Sequence, residues 1–64
     1  MGSYLIEFHK DGLRRAVSSH AGPFEETMRA AHEGMAQHQA DVVRVIDTDS
    51  LAEVLYFERD SSDL

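Results

Sequence analysis

Four histidines, His9, His20, His32 and His38, are the residues best suited to hold a metal ion or to move a proton near neutral pH. Their spacing argues against a shared site. His32 and His38 stand six apart in a helical stretch, about 240° around the helix, so they cannot offer one ligand face. His9 and His20 fall near opposite ends of a hairpin. No H-x₃-H pattern and no cysteine accompany them. Rim or surface histidines are expected, with no metal and no cofactor.

The stretch FHKDGLRR, Phe8 to Arg15, gathers Lys10, Arg14 and Arg15 and invites a phosphate-binding reading. A phosphate cradle needs several inward N–H groups, usually from a glycine-rich loop that feeds a helix N-terminus. Here a single glycine joins two strands, and Asp11 would repel an anion. A hairpin tip with solvated cations at a sheet edge fits better. Asp47, Asp49 and Glu58 occupy the first, third and twelfth positions of a calcium-type loop, but Ala52 replaces its glycine and Leu51 an oxygen ligand. These aspartates read as turn formers. Ser18, Ser19 and His20 lack a nucleophile elbow, and adjacent residues of a strand point to opposite faces. The small tautomerases require a proline directly after the first methionine, and Gly2 stands there. No enzyme is expected. The closing Ser-Asp-Leu matches the form of a C-terminal peptide ligand, but belongs to a tail expected to be disordered over 61–64.

The elements that must position these residues follow from periodicity. Tyr4, Ile6 and Phe8 alternate with Glu7 and His9 as in a half-buried strand, and Asp11-Gly12 is a strong tight-turn signal. LRRAVSS reads as the returning strand, weakly apolar as suits an edge. Pro23 fits the first position of a helix running to about His38, and Glu25 and Glu26 then lie in its electropositive first turn. Phe24, Met28, Ala31 and Met35 form its apolar stripe. Gly34 weakens the last turns and leaves the helix end poorly fixed. ADVVRVID and LAEVLYFER read as two further strands around a DTDS turn. The expected fold is therefore α+β, in the order ββαββ. It has a four-stranded, mainly antiparallel sheet with one helix packed on one face, and a single domain over 1–60.

Element order and the stretch FEETMRAA after Pro23 resemble HicB-like antitoxin domains. Between the second strand and the helix the chain lacks the proline- and glycine-rich stretch of that family, and these 64 residues hold no DNA-binding extension. The resemblance implies a protein-binding accessory role and stops short of membership.

Composition narrows the classes. Twelve acidic residues against six Lys and Arg give a net charge of −6, close to −2 if all four histidines were protonated. Such a surface repels phosphate backbones, so no nucleic-acid partner is expected. No apolar run is long enough to span a bilayer and no signal-peptide core is present. Ile6 stands where a myristoylation motif needs Ser or Thr. No membrane association and a cytoplasmic location are the expectation.

Size adds a constraint. Burying about 3,800 Å² of apolar surface at about 25 cal/mol/Å² contributes ~95 kcal/mol. Ordering 64 residues at about 1.5 kcal/mol each costs the same. With no disulfide to help, assembly is the remaining stabiliser. Taking each strand by parity places Ile6, Phe8, Val17, Val43, Val45, Leu55 and Phe57 on one face. Leu5, Ala16, Val42, Ile46, Val54 and Tyr56 fall on the other, among Glu7, Arg44 and Glu58. One helix covers one face of such a sheet. An interface is therefore expected at Leu5, Val42, Arg44, Ile46, Val54 and Tyr56, with Arg44 meeting Glu7 or Glu58 of a second copy. These features predict a small, non-catalytic, homodimeric interaction module. The alternatives are an antitoxin-like or accessory protein that binds an unidentified basic protein, and a small oligomeric enzyme or ligand binder with a site at the subunit interface.

Overall fold

The computed structural model of the chain describes residues 2–59; the expected tail at 61–64 lies outside them. The elements are β1 (Gly2–Lys10), β2 (Leu13–Gly22), α1 (Phe24–Gln37), β3 (Val42–Asp47) and β4 (Glu53–Glu58). They form one antiparallel sheet in the order β2-β1-β3-β4. This is the expected α+β fold, with α1 on one face. The helix carries the chain across β1, so that β3 pairs on the far side of it from β2.

The hairpin tip has the conformation its sequence demands. Asp11 and Gly12 both have positive φ, 55° and 81°, which matches a two-residue turn to the right-handed twist of its strands. Three residues later the ladder changes register. His9 pairs with Arg14, whereas Phe8 pairs with Ala16, so one extra residue of β2 is accommodated as a bulge. This reverses the parity expected for β2. Ala16 shares the helix side with Phe8, and Val17, opposite Glu7, lies on the helix-free side. A turn-based register would have paired Phe8 with Arg15 and Ile6 with Val17.

Pro23 stands in extended conformation ahead of α1, and its carbonyl accepts the backbone N–H groups of Glu26 and Thr27. The other end closes as a Schellman motif. Gln39 adopts φ 54°, its N–H donates to the Ala36 carbonyl at 3.3 Å, and the Ala40 N–H donates to the Met35 carbonyl at 2.9 Å. Gly34 does not end the helix. It is buried where α1 crosses β1, and a Cβ added there would meet the Phe8 ring, 2.6 Å from Cε1.

The helix also turns a different face to the sheet than its apolar stripe suggests. Thr27 and Ala31 are fully buried, Gly34 is buried beside them, and Met28 is 36% exposed. Thr27 and Met28 differ by about 100° around the axis, so burying the first turns the second to the rim. The cause is close approach. Ala31 and Gly34 are the small residues that let the helix settle over the Phe8 ring, and Phe24 and Met35 flank that line. Ile6, Phe8, Ala31, Ala40, Val43 and Val45 make up the core. Buried Thr27 is satisfied: its Oγ1 lies 2.8 Å from His20 Nδ1 and 3.5 Å from the Pro23 carbonyl.

Candidate functional site

The helix-free face is built from alternate residues of all four strands, so register decides its membership. Leu5 lies opposite Ile46 and Ser19, Glu7 opposite Arg44 and Val17, and Arg44 opposite Tyr56. Of the residues expected there, Leu5, Val42, Arg44 and Ile46 are half-buried and Tyr56 is exposed. Val54 is also exposed. A register shift pairs Val45 with Leu55 but Ile46 with Glu53, which leaves Val54 as the bulged residue of β4.

The middle of this face is polar and self-paired. Arg44 donates from Nε to Glu53 Oε1 at 2.7 Å and from Nη1 to Glu7 Oε1 at 3.4 Å. Glu7 also receives His9 Nε2 at 3.1 Å on Oε1 and Arg14 Nη1 at 3.7 Å on Oε2. Tyr56 Oη donates to Glu58 Oε2 at 2.9 Å. Arg44 was expected to find Glu7 or Glu58 across an interface. Instead it satisfies itself within the chain, through Glu7 and through Glu53, while Glu58 is engaged by Tyr56. The hydrogen bond to Glu53 holds the Arg44 guanidinium above its already high ordinary value, so it keeps its charge. The hydrogen bond to Glu58, joined by burial and that carboxylate's charge, pushes the Tyr56 phenol up.

Apolar surface surrounds this network. Val17 is 45% exposed on β2, Val54 43% and Tyr56 49% on β4. Val17 and Glu53 escape a parity count, because each owes its place to a bulge. The signal for the first is that the unbulged register sets Arg15 opposite Phe8 on the helix-covered face, where its charge would be buried.

The chemically suggestive residues of the sequence are placed for packing. His32 stacks on Phe57 with ring centres 4.3 Å apart and planes 16° from parallel, and His38 lies against Phe8 at 4.8 Å. His20 bonds Thr27. These three contacts tie α1, with its C-cap His38, to β4, β1 and β2 in turn. Asp47 Oδ1 accepts the N–H groups of Asp49 and Ser50 at 2.8 and 3.4 Å, and so builds its own turn. Among the described residues no three His, Asp or Glu side chains are grouped to hold a metal ion, and no helix is long and apolar enough to cross a membrane. Comparison with protein-family models, with curated proteins and with solved structures finds no match to this chain.

Proposed function

We propose that this chain is a small, non-catalytic interaction module that works as a homodimer packed through the helix-free face of its sheet. The observation behind this reading is asymmetry of cover. α1 seals one face, while the other presents Val17, Val54 and Tyr56 to solvent around half-buried Leu5, Val42 and Ile46. Exposed apolar side chains around a half-buried sheet face favour a contact there. The central charges enter such a contact as a linked network, in which Arg44 holds both Glu7 and Glu53 and Arg14 stands beside Glu7. A two-fold axis through the face would set the same surface against itself.

Light scattering coupled to size exclusion tests this. The wild-type chain is expected to run as a multiple of 7.2 kDa, and Tyr56→Asp, which sets an unpaired charge in the contact, to halve the number of chains per particle. A well-folded 7.2 kDa wild-type species at tens of micromolar would overturn the proposal and leave the face for a different protein.

A further inference from the structure

The two outer edges of the sheet are protected unequally. β4 is six residues long and carries charges at Glu53 and Glu58, with Arg59 next to it. β2 is ten residues long, and its middle, Ala16 to Ser19, carries none. An edge of that length without charges offers its N–H and C=O groups to another strand. Arg14 and Arg15 guard only the end next to the turn, and Arg14 already engages Glu7 of its own chain. The helix side of this edge is open as well. A cleft of about 240 Å³ separates β2 from α1, with Phe8 on its floor and Ser18, His20 and Glu33 among its walls.

Charge order says what fits the edge. β2 is basic where it starts, at Arg14 and Arg15, and runs at its other end into Glu25 and Glu26. Glu26 Oε1 lies 4.0 Å from the place a Cβ would take on Gly22, so its carboxylate sits over the strand end. An antiparallel partner strand must therefore be acidic beside Arg15 and basic beside Glu26. β2 and the first turn of α1 from a second copy have that order. We infer that the β2 strands of two copies pair antiparallel about a two-fold axis near Ser18. The two sheets become continuous, and Arg15 of each copy meets Glu26 of the other. The clefts then face one another across the seam, and each gains its missing wall from the other copy. This contact uses an edge and leaves the helix-free face untouched, so it stands or falls apart from the face-to-face dimer.

Charge reversal tests it, read by light scattering coupled to size exclusion, with circular dichroism reporting the fold. Arg15→Glu alone and Glu26→Arg alone are each expected to halve the number of chains per particle, because each sets like charges together at both ends of the seam. Mixed one to one, the two variants restore the wild-type size, since opposite charges then meet at both ends. Ser18→Lys, at an exposed position on the axis, is expected to halve it too. Tyr56→Asp also halves the particle but leaves this pairing in place, so amide protection at the β2 edge still rises with concentration in that variant and does not in Arg15→Glu. Amide hydrogen exchange on the wild type reads the contact without substitution. Alternate amides of Ala16 to Ser19 already bond β1, and protection of those that point outward is expected to rise with protein concentration. Unchanged particle size in both charge variants, a mixture that fails to recover, or exchange at these outward amides that ignores concentration would each overturn the edge pairing.

Discussion

Gly34 shows how one missing side chain sets the helix height. Helix propensity alone favours alanine at an internal helical glycine by about 1 kcal/mol. Here the added methyl group would collide with the Phe8 ring, and overpacking of this kind costs about 1–3 kcal/mol. Gly34→Ala is expected to destabilise the fold by about 1 kcal/mol or more despite its better propensity, and Phe8→Leu in the same chain should remove most of that penalty. Chemical denaturation of the single and double variants checks it; a more stable Gly34→Ala would mean that Phe8 does not lie beneath the glycine. At the other face, the Tyr56 phenol is raised by its bond to Glu58. A phenol whose folded pKa is raised favours its protonated form in the fold. Its contribution to stability is complete below the ordinary tyrosine value of about 10 and is lost as pH climbs through the raised one. Alkaline titration of tyrosine absorbance, taken as the difference from Tyr56→Phe, should show this component moving down in pH when Glu58 becomes Gln. An unmoved component would remove the hydrogen bond from the account.

At the scale of elements, α1 is defined by its end and by its phase. Gln39 takes the left-handed position that closes a Schellman motif, where glycine is the usual occupant. Left-handed backbone costs an L-residue about 1–2 kcal/mol, while glycine gives back about 0.4–1 kcal/mol through its freer unfolded chain. Gln39→Gly is therefore expected to stabilise the domain by about 0.5–1 kcal/mol, read as a raised thermal midpoint; a lower midpoint would show that the Gln side chain has a role of its own. The phase is tested by contrast. Met28 on the rim should tolerate Ala with a loss below about 1 kcal/mol, as partly exposed positions do. Thr27→Val should cost about 1–3 kcal/mol, because it leaves His20 Nδ1 without its partner. Denaturation midpoints in the reverse order would return the apolar stripe to the sheet. The stripe was legible and its phase was not, because periodicity counts apolar residues and cannot see that a hydrogen-bonded threonine and a glycine bring the helix nearer.

For the whole molecule, a 64-residue chain without disulfides lies close to the balance point between burial and chain entropy. If assembly through the sheet supplies the missing stability, folding and association are one equilibrium. A tenfold rise in concentration then adds about 1.4 kcal/mol per dimer. Domains of this size shift by about 4–8 °C per kcal/mol, so the thermal midpoint should climb a few degrees for each decade. Calorimetry over two decades of concentration decides it, and a constant midpoint would show that the isolated chain is stable by itself. The acidic surface fits this picture, since the six excess charges keep such particles apart except where Arg14 and Arg15 interrupt them.

Element order, the tight turn at Asp11-Gly12, a helix start within one residue of Pro23 (its N-cap, with Phe24 the first helical residue) and the pairing of a buried with an exposed strand face were legible along the chain. Each rests on local chemistry: positive φ at glycine, the fixed φ of proline, and side-chain alternation with period two. The apolar residues of β1 and β3 could be assigned for the same reason, since Ile6, Phe8, Val43 and Val45 keep their parity from end to end. The remaining features depend on residues that meet only in the fold. The bulge in β2 exchanged Ala16 and Val17 between faces, and the bulge in β4 brought Glu53 to Arg44. The Phe8 ring beneath Gly34 set the rotation of α1. In each case one residue's room depends on a neighbour far along the chain or across a strand pair, and no short window of sequence contains both.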